Sequence, residues 1–280
     1  MIRNALTVDV EDYFHVSAFA GSIDRKDWNN YPLRVERNTQ RLLELFDNNG
    51  IKVTFFVLGW VAERVPHLVS EIAAMGHEVA CHGYSHQLVY DQTVEEFREE
   101  TLRSKSLLED IAQVPVRGYR AASYSITQRS LWALDVLAEA GFTYDSSIFP
   151  IRHDRYGMPG TPETPYQLKS PAGQSIVEFP LSTARLFGMH LPVAGGGYFR
   201  LYPYRLTKFG LSRINSNNHP FIFYMHPWEI DPDQPRIDAV LLSRFRHYNN
   251  LHRFEGRLRR LMEDFHFGTV MDVLGDLHLV

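Results

Sequence analysis

Two histidines four residues apart, within Cys81-His82-Gly83-Tyr84-Ser85-His86, are the residues of this chain most suggestively spaced for chemistry. Imidazoles at that separation can converge on one divalent ion, either on one face of a helix or around a strand-to-helix turn of the kind that Gly83 and Ser85 allow. In a chain with 13 histidines the spacing alone is weak, and ordinary surface or core histidines compete with it. Asp9-Val10-Glu11-Asp12 adds a cluster of carboxylates at the end of the hydrophobic run Ala5-Leu6-Thr7-Val8. That much negative charge is costly to bury beside a sheet unless a cation compensates it. The alternative is a solvated acidic turn.

Hydrophobic patterning indicates the elements that would position these groups. Residues 2–10 read as a strand, 34–49 as a helix closed by Asn49-Gly50, and 51–58 as a buried β-branched and aromatic strand. Residues 60–75 read as a helix interrupted near Pro66, and 93–111 as a polar amphipathic helix opened by a Thr93-Glu96 capping box. A strand at 116–119, a helix at 127–140 and a strand at 142–145 follow. Repeated β/α units argue for a parallel sheet closed, or nearly closed, into a barrel. Residues 12–33 and 150–171 read as loops, 194–200 as a Gly-rich turn without the spacing of a phosphate loop, and 175–179 and 221–225 as strands. The reading ends with one long Arg-rich helix at 241–265 and a strand at 269–273.

In such an array, chemistry collects at the carboxyl ends of the strands. Asp9 and Glu11, then His82 and His86, then Arg120, Asp145 and His226 each fall just at or after a strand end. This recurrence favours an enzyme over an inert α/β domain. The bland alternatives are an ordinary structural ion pair for Arg120 and a helix N-cap for Asp145. Composition narrows the class. At 280 residues and 44% hydrophobic content the chain can bury a large core. A net charge of -4 gives no basic footprint for nucleic acid. The single cysteine, Cys81, excludes an internal disulfide and a Cys-based zinc cluster, and reads as a buried filler. The start of the chain meets carboxylates by residue 9, and no run is long enough to span a bilayer, so the expectation is a cytoplasmic protein.

Thr7-Val8-Asp9-Val10-Glu11, the His82-to-His86 stretch, Gly118-Tyr119-Arg120-Ala121-Ala122, Tyr144-Asp145-Ser146-Ser147 and Phe223-Tyr224-Met225-His226-Pro227 resemble, in that order, the five motifs of the polysaccharide deacetylases, the NodB-like carbohydrate esterases. The resemblance covers residues 3–150 and, locally, 221–229. The acidic start, Gly195-Gly196-Gly197-Tyr198-Phe199-Arg200 and the 225–231 segment resemble more particularly the deacetylases encoded with exosortase-linked exopolysaccharide loci, whose extra C-terminal region corresponds to the stretch after Pro165.

The resemblance implies one catalytic domain over 1–280, a distorted (β/α) barrel with a family-specific insertion (151–220) and C-terminal extension (230–280). It also implies zinc or another divalent metal held by His82, His86 and a carboxylate. Glu11 is favoured by the two-residue period of a strand, with Asp12 the alternate if the strand ends in a bulge. Asp9 would be the general base, oriented by Arg120, and His226 the general acid, with Asp145 as its partner. The backbone N–H near Ser123 would help hold the oxyanion, and Tyr124, Trp228 and Tyr198 could stack on sugar rings. The implied substrate is an N-acetylated oligo- or polysaccharide, met by a cytoplasmic chain at the inner membrane face. Ala121-Ala122, where prolines are common, and the missing adjacent Asp-Asp pair depart from the family pattern. Two rivals remain: a metal-free hydrolase of small cyclic amides, and a carbohydrate-binding barrel that has lost activity.

Overall fold

The computed structural model describes residues 2–153, 156–186 and 189–280. Its strands, in chain order, are β1 (Arg3–Val10), β2 (Thr54–Val57), β3 (Glu78–Cys81), β4 (Gly118–Tyr119), β5 (Tyr144–Asp145), β6 (Tyr166–Lys169), β7 (Ser175–Glu178), β8 (Thr183–Leu186), β9 (Met189–Pro192), β10 (Ile222–Met225) and β11 (His266–Gly268). The main sheet runs β10-β1-β2-β3-β4-β5-β7-β6, with β11 beside the start of β1. Every pairing in it is parallel except that of β6 with β7. Past the end of β7, Ser182 Oγ accepts from the Ile222 N–H of β10 at 2.9 Å. The result is a distorted (β/α) barrel.

The two-residue period of the strands builds two cores. Leu6, Val8, Val10, Phe55, Val57, Val79, Phe223 and Met225 pack outward under the helices. Ala5, Phe56, Ala80, Tyr144, Val177 and Ile222 fill the barrel interior. Helix Val270–Asp276 closes the amino end, where Val270, Val273 and Leu274 join the inner core and the Val270 N–H donates to Thr54 Oγ1 at 2.8 Å. The carboxyl end is left for polar groups.

Several expected elements differ. The long helix expected at 241–265 is two helices, Leu241–Tyr248 and Phe254–Asp264. The chain breaks at Asn249-Asn250, where Asn250 adopts φ 54° and Arg200 takes the Asn249 carbonyl. The strand expected at 269–273 is a helix, because Thr269 and Asp272 form a reciprocal capping box; the last strand lies just before it. Residues 150–171 are not all loop, since β6 pairs with β7 there. The Gly-rich turn at 194–200 holds helix Gly196–Leu201. The helix expected at 127–140 is confined to Ala133–Glu139. The β8–β9 hairpin was not anticipated.

Candidate active site

The β1 strand delivers the first groups. Asp9 shares the inward face with Ala5 and Thr7, and its Oδ1 accepts a 2.6 Å bond from Arg120 Nη1. Arg120 is fully buried and also donates to Thr7 Oγ1 (2.9 Å) and to Ser146 O and Oγ (3.2 and 3.0 Å), while its guanidinium lies 4.0 Å over the Phe56 ring. Four acceptors and a ring fix the cation, and the cation fixes one oxygen of Asp9. The other oxygen, Oδ2, lies 4.0 Å from His226 Nε2.

Past the strand the chain turns tightly, with the Glu11 N–H on Asp9 O at 2.9 Å, and Glu11 reaches the histidines. One ligand atom each from Glu11, His82 and His86 lie within 4.8 Å of one another. Glu11 Oε2 is 3.0 Å from His86 Nε2, yet it is a buried oxygen with no hydrogen-bond partner. A carboxylate oxygen and an imidazole nitrogen this close, with the oxygen otherwise unpartnered, are placed to share a proton or a cation. His82 Nδ1 stands 2.8 Å from the Arg120 carbonyl. A carbonyl only accepts, so Nδ1 carries the proton and Nε2 keeps its lone pair for a ligand. Burial lowers the His82 pKa to about 4, which keeps the ring neutral as metal binding requires. Burial would raise the Glu11 carboxyl, but the charge and hydrogen bond of His86 and the charge of His226 outweigh it and hold it well below the usual carboxylate range. His86 sits at φ 51° and Gly83 at φ 73°, so the backbone curls rather than forming a helix between the two histidines.

Asp12 lies outside this cluster. Its Oδ2 accepts from the Arg34 and Val35 N–H groups at 2.6 and 2.8 Å, and its Oδ1 from the Tyr13 N–H at 2.9 Å, so it anchors the start of helix Val35–Asp47. Burial raises its pKa to about 6 against those three hydrogen bonds.

β10 delivers His226, with Nε2 facing Glu11 Oε1 at 3.5 Å and Nδ1 facing Glu229 Oε2 at 3.3 Å. Asp145, the expected partner, is elsewhere. It accepts from Ser147 Oγ at 2.6 Å and lies against Glu178, and burial raises the pKa values of both acids. The partner is Glu229, which also accepts from the His226 N–H at 3.0 Å and pairs with buried Arg200 at 2.8 Å. Burial would lower the His226 pKa; the Glu229 hydrogen bond and the charges of Glu11, Glu229 and Asp9 lift it to about 9.

Arg200 is pinned in turn by the carbonyls of His247 and Asn249. A Cβ on Gly196 would fall 1.8 Å from Glu229 Oε2, and one on Gly195 2.2 Å from the Tyr224 ring. The Gly-rich segment, unassigned in the sequence reading, therefore makes room for Glu229 and Tyr224. The visible signals were Arg200 and Glu229 in segments already singled out.

Trp228, at 4% exposure, is not available to stack on a sugar. It stacks on His226 (centroids 5.0 Å) and on His247 (4.1 Å), and so holds the His226 ring. Tyr124 is also buried, 5.1 Å from the Tyr224 ring. Ser123 and Tyr124 both adopt positive φ (50° and 56°), and Ser123 Oγ lies 2.6 Å from Ser17 Oγ, which ties this loop to the segment after β1.

A barrel with a carboxylate and two histidines at its carboxyl-end mouth, beside an Asp–Arg pair and a carboxylate-held histidine, has the parts of a metal-assisted hydrolase. Residues 27–144 match the polysaccharide deacetylase family, and residues 146–275 match a family described as a domain of unknown function (DUF3473). By that match, residues 27–144 are similar to the polysaccharide deacetylases.

Among curated proteins, a peptidoglycan-N-acetylglucosamine deacetylase of Bacillus cereus is 30% identical over 98 residues, 35% of this chain and 36% of its own. A peptidoglycan deacetylase of Helicobacter pylori is 28% identical over 141 residues, 50% and 44% of the two chains. The chain thus spans less than half the length of these relatives. Among solved structures, a polysaccharide deacetylase candidate from Mycobacterium smegmatis superposes with a TM-score of 0.66 at 19% identity, covering 99% of this chain and 90% of the other. Puue allantoinase gives 0.60 at 16% identity, covering 99% and 89%. At those identities the likeness is one of fold.

Proposed function

We propose that this chain is a metal-dependent hydrolase that removes N-acetyl groups from aminosugars of a polysaccharide or its precursor. The observation that carries the reading is the buried, unpartnered Glu11 Oε2 beside His86 Nε2, within the Glu11, His82 and His86 cluster. Those residues would hold the ion. When bound, a divalent metal supplies Lewis acidity toward the acetyl carbonyl and toward a water molecule.

The remaining steps belong to the chain's own side chains. Asp9 keeps one oxygen on Arg120 and uses the other to take a proton from the attacking water. His226 presents Nε2 toward the same space and gives its proton to the departing sugar nitrogen, while Glu229 stabilises the charged ring at Nδ1. Proton acceptor and donor are 4.0 Å apart, close enough to serve one acetamido group. The backbone N–H near Ser123 would face the developing oxyanion. The curated relatives named for N-acetylglucosamine and peptidoglycan deacetylation support the substrate class.

The test is to measure the metal content of purified protein and the acetate released from N-acetylated oligosaccharides before and after chelation. Loss of both on chelation, with recovery on adding zinc, is expected. Undiminished acetate release from metal-free protein would overturn the mechanism and turn attention to cyclic amides.

A further inference from the structure

Apart from this site, the largest exposed side chains of one short helix call for a covering partner. Val240, Leu241, Leu242 and Phe245 are 76, 80, 58 and 57% exposed. On helix Leu241–Tyr248 the 100° step per residue brings Leu241, Leu242 and Phe245 to one outward face, with Val240 leading into it. His247 points the opposite way, buried against Phe19 and Trp228. Arg244 and Arg246 fall on the two flanks of the apolar face, both exposed.

Isolated exposed leucines need no explanation, but four large apolar groups in one ridge between two arginines do. The local charge runs against that of the whole molecule. Residues 236–248 hold Arg236, Arg244 and Arg246 against a single acid, Asp238, in a chain of net charge -4. Asp238 lies 3.9 Å from Arg244, but both are exposed and the pair is weak. An apolar ridge with cations at its edges matches a helix lying in a membrane interface, where apolar groups enter the acyl boundary and arginines reach anionic headgroups.

We propose that helix Leu241–Tyr248 docks this protein on an anionic bilayer surface. A second copy of the chain would instead bring like-charged arginines together across an isologous contact. The docking helix also adjoins the candidate active site, because His247 on its inner face stacks on Trp228, which stacks on His226. Docking would thus place the barrel mouth beside the surface.

The experiment is co-sedimentation of the full chain with vesicles of phosphatidylcholine alone or mixed with phosphatidylglycerol, at low and high salt. The wild type should bind the anionic vesicles at least about ten-fold more tightly and lose that advantage in salt. Leu241→Ser with Phe245→Ser, and separately Arg244→Glu with Arg246→Glu, should each weaken binding at least about ten-fold. The thermal midpoint should stay unchanged, because these side chains are exposed. Absence of binding, or equal binding to neutral vesicles regardless of salt, would overturn the proposal. So would light scattering that finds a dimer which Leu241→Ser with Phe245→Ser dissolves. None of these readings depends on deacetylase activity.

Discussion

Replacing Glu229 with glutamine keeps the shape of the side chain and removes its charge. Arg200 Nε stands 2.8 Å from Glu229 Oε1 with both side chains buried, so the change strands a guanidinium in the interior. Breaking a buried pair in this way costs about 3–5 kcal/mol. The carbonyls of His247 and Asn249 still accept from Arg200, which places the expected loss near the lower end, about 3 kcal/mol.

Adding Arg200→Met removes the stranded charge and should recover most of that loss. Activity should not follow stability, because both variants leave His226 Nδ1 without an anionic partner. In each, kcat for acetate release should fall about 10²-fold, the low end of a general-acid contribution. Burial would raise the Glu229 carboxyl, but the charges of Arg200 and His226 hold it lower. Its stabilisation is therefore present above the ordinary carboxylate value of about 4.3 and is lost as pH falls through the lower folded value. Urea unfolding across pH should find that acid limb flattened in Glu229→Gln. Wild-type stability together with wild-type kcat in Glu229→Gln would refute the reasoning.

Asp9→Asn and His226→Ala should each lower kcat by roughly 10²- to 10⁴-fold with metal content retained, measured by steady-state kinetics beside elemental analysis. Glu11→Gln should lose metal. Asp12→Asn should keep metal and lose about 1 kcal/mol in urea unfolding, since its carboxylate caps helix Val35–Asp47. Burial depresses the His77 pKa to about 4, and its Nδ1 accepts from the Val53 N–H at 3.1 Å. Its stabilisation is full above the ordinary value of about 6.5 and fades as pH falls toward the folded one. His77→Asn should flatten thermal stability across that window, and an unchanged pH profile would contradict the assignment.

Much of the barrel could be read from period and punctuation. Thr93-Glu96 opened the expected helix, Pro66 interrupted another, and the hydrophobic runs at 2–10 and 51–58 contained strands. The alternation of β1 favoured Glu11 over Asp12 and left Asp12 open; in the structure a tight turn after Val10, not the strand period, carries Glu11 to the histidines. What escaped depended on distant partners. Nothing local to Asp145 reveals that Glu178, more than thirty residues on, will be its neighbour, or that His226 will turn to Glu229. Trp228 could be read as a sugar platform or as core, because an aromatic beside such a motif carries no mark of the imidazole that covers it. At the C-terminus, Asn249-Asn250 was a break hidden inside a helical pattern, and Thr269-Asp272 a capping box inside a short apolar run.

The place of β1 between β10 and β2 has a consequence for synthesis. Thr7 leaves the ribosome well ahead of Phe223, whose carbonyl it bonds 216 positions later. Until β10 emerges, one edge of β1 is an unpaired template carrying buried-type residues, the condition that invites misassembly and chaperone capture. The ligand set of Glu11, His82 and His86 is complete long before that, whereas His226 arrives with the closing strand. On the proposed mechanism, a nascent chain would gather the residues for its ion well before the proposed proton donor, so metal capture would aid folding and activity would wait for the closing strand.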